Sequence, residues 1–382
     1  MSLNEHIKQA ALEIGFDFAA IAPYSPPPHA DTIIGWLQHG YAGDMHWMSK
    51  NVEKRLDPAK LWPQGKTILI VGLNYRQNLP DNSLVNDSSR GRIASYAWGN
   101  DYHEVIRVRL KSLAAEISKL AGKLIEYKIC VDTTPILEKA IAASTRTGFI
   151  GKNTLFIHPQ FGSTLFLGEL LLNIELEPDQ LSPLNNGCGD CKICTEHCPT
   201  NALDQNYSLD ATKCISYLTI ENHGLIPQKM RSKIGNWIFG CDICQECCPY
   251  NAGNKPQTSE PHFHISDTES RIPFLEDIIN LDEQGFREKF HGTPVFRSKR
   301  VGLLRNAAIA LGNSKSKEAV RPLSKALYDP EPFVRGHAAW ALGNIAGESC
   351  NDILRSAMNS EKDEYVLMEI EHALGNTSIT EQ

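Results

Sequence analysis

The stretch that decides the fold runs from Cys188 to Pro199, and its sequence is CGDCKICTEHCP. Its cysteines keep the C-x2-C-x2-C-x3-C-P spacing with which bacterial proteins hold [4Fe–4S] clusters in pairs. A second arm, Cys241 to Pro249 with the sequence CDICQECCP, contains C-x2-C-x3-C-P when Cys247 is passed over. Cys214 lies upstream and can supply the cysteine that this arm lacks. The chain is therefore predicted to bind two [4Fe–4S] clusters and to move electrons one at a time.

The cluster pattern divides eight of the eleven cysteines into two ligand sets, because the cysteine before each proline ligates the other cluster. The first ligand set is Cys188, Cys191, Cys194 and Cys248. The second ligand set is Cys198, Cys214, Cys241 and Cys244. Cys247 breaks the spacing to the proline and is predicted to be a buried free thiol. Cys130 and Cys350 lie in apolar surroundings and are predicted to be core residues.

Two other uses of these cysteines stay open. A disulfide framework is typical of short secreted chains, whereas this chain has 382 residues and an N-terminus without the pattern of an export signal. Zinc sites also use paired CxxC motifs, but zinc gives no reason for the Cys-Pro ending of both arms. Clustered cysteines without an export signal indicate a reducing cytoplasm as the expected location.

Length and composition are those of a globular protein with two or three domains. The content of 42% hydrophobic and 22% charged residues is ordinary for this class. The longest apolar stretches, at 68–73 and 165–174, are too short to cross a bilayer, so no membrane association is expected. The net charge of −7 argues against a protein coated with nucleic acid but leaves room for a local basic surface.

The N-terminal 180 residues are predicted to be mixed α/β, beginning with an amphipathic helix and a strand. Further expected elements are a buried strand at 67–71, a helix at 102–120 with Val105 and Val108 on its apolar side, a strand at 124–131, a helix at 136–147 that begins near Pro135, and a hairpin that pairs 154–157 with 163–167. A polar linker is expected at 177–186. The acidic, proline-interrupted segment at 257–282 is expected to wrap the surface.

The C-terminal part contains a repeat. The sequence Ala-Leu-Gly-Asn begins at Ala310, Ala341 and Ala373, at spacings of 31 and 32 residues. Paired helices at this period indicate a short α-solenoid of the HEAT type. Such a solenoid serves either as a binding face for a large partner or as a packed cap, and the repeat alone favours neither.

Asp132 ends a predicted strand just before a helix, where α/β proteins often place catalytic groups. The residues alone favour a simpler role, in which Asp132 or Thr134 caps the helix after Pro135. Other familiar motifs fail. Neither a G-x-G-x-x-G nor a Walker motif is present, and Asp101-Tyr-His103 begins a histidine-ligated corrinoid motif that Ile106 then breaks, since glycine is needed there.

A basic stretch between residues 287 and 305 reverses the sign of the overall charge. Its candidates for contact with a phosphate backbone are Arg297, Lys299, Arg300 and Arg305. The alternative is a solvated helix face.

These residues together resemble the epoxyqueuosine reductase family over nearly the whole chain. The stretches that carry the resemblance are Glu53–Arg55, Trp98–His103, Val131–Thr133, Gly151–Asn153, Cys188–Pro199, Cys214–Thr219, Lys233–Asn236, Gly240–Pro249 and Arg305–Ala308. Corrinoid reductive dehalogenases share the N-terminal and cluster modules, but they lack the solenoid. A small-molecule dehalogenase and a non-catalytic ferredoxin-like electron carrier therefore remain alternative functions.

The resemblance implies a multidomain α+β fold. Its expected parts are a nitroreductase-like cobalamin domain at 1–180, a ferredoxin-like two-cluster domain at 181–255, a linker at 256–290 and a HEAT-like domain at 291–382 that contacts tRNA.

The resemblance also implies the cofactors and the site. Base-off cobalamin would be fed by the two clusters, and Asp132 would be the proton donor, kept protonated by a dry, apolar pocket. The residues expected to line the cobalamin site are Arg55, Asp132, Phe156, Leu167, Ser216 and Asp242.

The implied reaction converts epoxyqueuosine to queuosine at the wobble position of the tRNAs for aspartate, asparagine, histidine and tyrosine. The residues expected to contact tRNA are His223, Arg297, Lys299, Arg300 and Arg305. An external low-potential electron donor and a monomeric state are also expected.

Overall fold

The structure, a computed structural model, describes residues 2–179, 187–265 and 267–377. The predicted linker at 177–186 and the domain boundary at residue 180 lie largely outside them. Two compact units are present: unit 1 is Met1–Asn78, Gly99–Thr212 and Asp242–His264, and unit 2 is Leu79–Trp98, Lys213–Cys241 and Ile265–Gln382. The four domain ranges expected from the sequence were assigned by the function of each part of the chain. Their bounds differ from those of the two units, and they stay predictions.

In the described residues the strands are β1 (Phe18–Pro23), β2 (Thr67–Asn74), β3 (Arg92–Ile93), β4 (Tyr127–Cys130), β5 (Phe149–Ile150), β6 (Phe156–Ile157), β7 (Leu165–Leu172) and β8 (Trp237–Phe239). The α-helices are α1 (Leu3–Ile14), α2 (Thr32–Gln38), α3 (Val52–Leu56), α4 (Pro58–Leu61), α5 (Asn82–Val85), α6 (Tyr102–Leu120), α7 (Glu138–Ser144), α8 (Ile193–His197), α9 (Ile215–Ile220), α10 (Gln228–Ile234), α11 (Ile243–Glu246), α12 (Leu275–Ile279), α13 (Glu283–Phe290), α14 (Lys299–Ser314), α15 (Val320–Ala326), α16 (Pro332–Ile345), α17 (Glu348–Met358) and α18 (Glu364–Thr377). Short 3-10 helices cover His46–Met48, Ser95–Ala97, Ala211–Lys213, Pro249–Asn251, Pro294–Ser298 and Lys317–Ala319.

An antiparallel sheet in the order β1-β2-β7-β4 organises unit 1. Every residue of β2 is buried, which confirms the predicted buried strand at 67–71. Helix α6 crosses one face at Gly168, where a Cβ would lie 2.7 Å from a methyl carbon of Ile106. On the other face, Ile141 of α7 joins the apolar cluster that contains Leu167 and Leu171. Continuous apolar strands therefore arise here because helices cover both faces of the sheet.

Two predicted helices differ in how well the sequence located them. Helix α6 spans Tyr102–Leu120 as predicted, and the side chain of Asp101 caps it by accepting from the backbone N–H of His103. Val108, however, is 60% exposed. Helix α7 begins only at Glu138, and its N-cap residue makes no side-chain cap. The interpretation of Asp132 or Thr134 as its cap is therefore wrong.

The predicted hairpin is also wrong in its partners. Strand β6 pairs with β5, whereas β7 pairs with β2 and β4 in the centre of the sheet. The long apolar strand β7 is better buried between two strands than at the edge of a short hairpin. The segment at 257–282, expected to wrap the surface, instead buries Phe263 in unit 1 and Leu275 in unit 2.

Helices α14 to α18 form the predicted solenoid of unit 2. The repeated Ala-Leu-Gly-Asn lies at the contacts between α14 and α16 and between α16 and α18. A Cβ on Gly312 would lie 2.8 Å from Cα of Ala341, and a Cβ on Gly343 would lie 2.8 Å from Cα of Ala373. Glycine therefore recurs because each long helix touches the backbone of the next. In the described part of the chain, no helix combines the length and apolar content needed to span a membrane.

Candidate active site and cluster site

The first ligand set surrounds a cavity in unit 1. The cavity has a volume of about 140 Å³, and its lining residues are Lys152, Asn153, Ile157, Gly187, Cys188, Cys191, Cys194, Cys248, Pro249 and Tyr250. Within the described residues, no three His, Cys, Asp or Glu side chains are grouped for a single metal ion. A water molecule occupies about 30 Å³, so this cavity has room for a larger inorganic group. Four thiols around such a space fit the donor set of a [4Fe–4S] cluster.

The second ligand set is distributed over both units. Cys198 and Cys244 belong to unit 1, and Cys214 and Cys241 belong to unit 2. Locally, Sγ of Cys198 accepts a hydrogen bond from the backbone N–H of Ala202 at 3.3 Å. The assignment of these four residues to one cluster stays a prediction from their spacing.

Asp132 lies in the loop after β4 and contacts His103. Oδ2 of Asp132 is 3.2 Å from Nε2 of His103, and Nδ1 of the same ring is 2.6 Å from Oδ1 of Asp101. The Asp132 side chain is 57% exposed. The protonated Asp132 expected in a dry, apolar pocket under the corrin stays a prediction, and the described structure places a histidine between two carboxylates.

His103 carries a positive charge in this arrangement. Burial lowers the pKa of His103, but the hydrogen bonds and negative charges of Asp101 and Asp132 outweigh burial and raise the pKa to about 9. Both ring nitrogens then bear protons at neutral pH and donate to the two carboxylates. His103 was not predicted to be a functional residue, although the stretch Trp98–His103 was one of those that carried the resemblance.

The shifted pKa of His103 predicts a pH-dependent stability. The ring has its ordinary pKa of 6.5 in the unfolded chain and about 9 in the folded one, so its stabilising contribution is complete below pH 6.5 and is lost as the pH rises through 9. The free energy of unfolding should therefore exceed that of a His103→Gln variant by a margin that shrinks between pH 6.5 and 10. Denaturant titrations at several pH values measure this margin, and a constant margin would contradict the prediction.

Two acids, the half-buried Glu138 and the buried Glu169, lie near Asp132. The backbone N–H of Asp132 donates to Oε1 of Glu138 at 2.5 Å, and φ of Asp132 is 52°, in the left-handed region. Glu169 of β7 is completely buried, and its carboxyl lies within hydrogen-bonding reach of the carboxyl of Glu138. Burial and the neighbouring Glu138 raise the pKa of Glu169 well above its usual range. Burial therefore favours the protonated form of Glu169, an effect that no motif in the apolar β7 sequence indicates.

Three residues expected at the corrinoid are buried in unit 1. Arg55 is 7% exposed, interacts electrostatically with Asp132, and has a buried Nε–H without a partner in the described structure. Such an unpaired donor fits an acceptor group of a bound cofactor. Phe156 and Leu167 pack in the apolar core of unit 1, so their side chains offer little surface to a cofactor.

The two remaining corrinoid candidates, Asp242 and Ser216, lie in different units. Asp242 is buried in unit 1, and Ser216 belongs to α9 in unit 2. Their role at the corrinoid stays a prediction.

Arg305 and Arg300 do not form the basic surface that was expected. Arg305 is 1% exposed, and its guanidinium donates to the carbonyls of Leu218, Asn222 and Gly224 and to the side chain of Asn306. All five of its N–H donors are thereby used inside unit 2. Arg300 pairs with Asp329, donates to a backbone carbonyl, and has a side chain only 11% exposed. Both residues stabilise unit 2 and leave no guanidinium available for a phosphate.

His223, Arg297 and Lys299 remain at the surface of unit 2. We call these three residues the basic face. Arg297 makes a two-point ion pair with Glu221, with distances of 3.0 and 2.8 Å. Burial and the nearby charge of Lys299 lower the pKa of His223, so this ring is neutral at pH 7.

Family models match three parts of the chain. The model described as "Epoxyqueuosine reductase QueG, DUF1730" matches residues 55–133, the "4Fe-4S double cluster binding domain" matches residues 187–251, and "HEAT repeats" matches residues 297–375. The cluster-binding module and the solenoid predicted from the sequence are thus confirmed as parts of a mixed α and β fold.

Known proteins resemble the chain over almost its full length. An epoxyqueuosine reductase of Xanthomonas campestris pv. campestris is 38% identical over 339 residues, which cover 88% of this chain and 94% of the relative. The structure of epoxyqueuosine reductase from Streptococcus thermophilus is 33% identical and aligns with a TM-score of 0.88 over 99% of this chain and 100% of that chain. A crystal structure of epoxyqueuosine reductase with a tRNA-Tyr epoxyqueuosine-modified tRNA stem loop is 32% identical, with a TM-score of 0.88 over 98% and 99% of the two chains. This chain therefore belongs to the epoxyqueuosine reductase family.

Proposed function

We propose that this protein reduces epoxyqueuosine in tRNA to queuosine. The observation that carries the proposal is the pairing of Asp132 with a charged His103 in the same compact unit as a cavity lined by four cysteines. A proton source and an electron site are the two components that the reduction of an epoxide requires. The likeness to epoxyqueuosine reductases over most of the chain supports this substrate.

The reaction consumes two electrons and two protons. The epoxide loses its oxygen as water, and an alkene remains in the cyclopentene ring. The Asp132–His103 pair supplies one of the two protons, to the oxygen as its C–O bond breaks, and solvent supplies the other. Because His103 is charged at neutral pH, its proton can pass through the contact between Nε2 and Oδ2 to Asp132 and from there to the oxygen. The pair therefore adds a histidine to the carboxylic acid expected from the sequence.

The reductant is base-off cobalamin, which supplies electrons at low potential when bound. Arg55 would hold one of its polar groups with the unpaired Nε–H, and Asp242 and Ser216 are further candidates for contact. Two [4Fe–4S] clusters, on the two ligand sets, would relay single electrons from an external low-potential donor. The proposal also includes a cytoplasmic location and a monomeric state for this protein.

The basic face of unit 2 is the proposed contact for tRNA. Neutral His223 can stack on an RNA base, whereas Lys299 and Arg297 can neutralise phosphates. The substrate tRNAs would be those for aspartate, asparagine, histidine and tyrosine, which share the modified wobble position in this family.

Neutralising the basic face should weaken tRNA binding in a salt-dependent way. We expect Arg297→Ala with Lys299→Ala to reduce the slope of log K against log [salt] by about 0.7 to 0.9 for each phosphate that the protein no longer neutralises. Fluorescence anisotropy with an anticodon stem loop at several salt concentrations measures the slope. Arg355→Ala is the matched control, since Arg355 is an exposed, ion-paired arginine on α17 of the same solenoid. An unchanged slope in the double variant would move the RNA contact elsewhere.

A direct assay tests the proposed activity. Purified protein, reconstituted without oxygen with iron, sulfide and cobalamin, is given a strong reductant and tRNA that carries epoxyqueuosine. Mass spectrometry of the digested nucleosides should show queuosine and loss of epoxyqueuosine. A protein that leaves this tRNA unchanged but removes halide from a small organohalide would be a dehalogenase instead. Cluster absorbance without any bound corrinoid would favour the electron carrier.

A further inference from the structure

A buried lysine contacts the loop that carries the first ligand set. Lys152 is 5% exposed and lines the cavity. Its Nζ donates to the carbonyl oxygens of Gly189 at 2.7 Å and Cys191 at 2.9 Å. Its backbone N–H donates to Sγ of Cys188 at 3.3 Å. One residue therefore brings a positive charge and an N–H···S hydrogen bond to the ligand thiols.

The turn between β5 and β6 holds Lys152 in this position. The turn is closed by hydrogen bonds from the N–H of Gly151 to the carbonyl of Leu155 and from the N–H of Thr154 to the carbonyl of Gly151, both at 2.9 Å. A Cβ on Gly151 would lie 2.7 Å from Oδ1 of Asn153, so a larger residue does not fit there. The position of Lys152 is thus determined by packed backbone as well as by its own side chain.

A lysine is an unusual choice for a purely structural contact at this place. Lysine is among the residues that are most rarely buried, because its ammonium group loses hydration. A neutral donor such as glutamine could bond the same two carbonyls at a lower cost. The property that only the lysine adds is its charge, which the backbone carbonyls of Gly189 and Cys191 hold in the ligand loop.

Charge and hydrogen bonds at the ligand sulfurs are among the factors that determine the potential of an iron–sulfur cluster. Reduction adds one electron, and hence one negative charge, to the cluster. A fixed positive charge at short range, shielded from water, stabilises the reduced form more than the oxidised form. The same holds for an N–H that points at a ligand sulfur.

We propose that Lys152 raises the reduction potential of the cluster held by the first ligand set. Lys152 does not ligate the cluster. It contacts the loop that carries the ligands, and its charge affects how readily the cluster accepts an electron. The step is the gain of one electron by this cluster from the external low-potential donor, with no bond made or broken. The inference rests on the proposed binding of a [4Fe–4S] cluster in this cavity.

The test compares Lys152→Gln, Lys152→Arg and Lys192→Gln in the full chain, reconstituted anaerobically. Glutamine keeps the donors for the two carbonyls and removes the charge, whereas arginine keeps the charge. Lys192 is the matched control, because it directly follows the first-set Cys191 in the sequence but is exposed to solvent. Iron content is measured first, and potentiometric titration followed by EPR then gives the midpoint of each cluster.

We expect Lys152→Gln to lower the ratio of reduced to oxidised first-set cluster at least tenfold at a fixed potential, which for one electron corresponds to about 59 mV. The other cluster, the Lys192→Gln variant and the Lys152→Arg variant should stay close to wild type. An unchanged midpoint in Lys152→Gln at full iron content would overturn the inference, as would equal shifts in the glutamine and arginine variants. Loss of iron in both variants would make Lys152 a structural contact only. Wild-type protein that takes up no iron would instead contradict the proposed cluster site.

Discussion

Asparagine at position 132 is expected to lower the single-turnover rate of epoxyqueuosine reduction by about 100- to 10,000-fold, the range that a positioned general acid contributes to a rate. The amide keeps the size of Asp132 and an oxygen that can accept from His103, but it can neither take up a proton from His103 nor deliver one. Asparagine is also suited to the backbone here, because φ of Asp132 is 52° and asparagine tolerates the left-handed region. Alanine would combine loss of the acid with backbone strain. Mass spectrometry of the tRNA nucleosides over time measures the rate.

Asp101→Asn is the matched comparison, because Asp101 contacts the other nitrogen of the same imidazole at 2.6 Å. Its loss removes one of the two carboxylates that raise the pKa of His103, so the activity should decline at a lower pH than in wild type. The maximal rate should fall less than in Asp132→Asn. Affinity for tRNA and the unfolding temperature should stay near wild type in both variants. Wild-type turnover in Asp132→Asn would exclude Asp132 as the proton donor, and a matching loss of tRNA affinity would make it a binding residue.

Local sequence patterns were sufficient to predict the helix and the strand next to this site. Helix α6 begins and ends where its apolar spacing predicts, and strand β2 follows from its run of apolar residues. The start of α7 could not be predicted in this way. Pro135 and the polar residues before it resemble a helix start, but Asp132 adopts a left-handed conformation, bonds to Glu138 through its N–H, and lies outside the helix.

Contacts between distant residues account for most of what the sequence could not predict. His103 and Asp132 are 29 residues apart, so no local pattern indicated that the histidine would pair with this carboxylate. Arg305 looked like a surface cation because its neighbours in sequence are basic, yet the carbonyls that bury it belong to residues more than 80 positions earlier. The sequence identifies charged groups, whereas the fold decides which of them meet water, another protein group or a substrate.

Serine at position 248 is expected to remove about half of the roughly eight irons that two [4Fe–4S] clusters contain. Cys248 lines the cavity with Cys188, Cys191 and Cys194, so its loss leaves the first cluster with three protein ligands. Serine at position 247 should leave the iron content unchanged, because Cys247 is absent from the lining. Iron and sulfide assays after anaerobic reconstitution measure both outcomes, with EPR of the reduced protein to count the clusters.

The two variants are well matched, since they change adjacent cysteines to the same residue and differ by one position. The contrast is needed because Cys247 also interacts electrostatically with Cys194 and Cys191, so it lies near the first ligand set. If Cys247→Ser lost the iron and Cys248→Ser kept it, the second arm would use Cys241, Cys244 and Cys247 at the C-x2-C-x2-C spacing of the first arm. The rule that the cysteine before each proline ligates the other cluster would then fail for this arm. Lys152 would still adjoin Cys188 and Cys191, so this result would change the ligand set without removing the charge beside it.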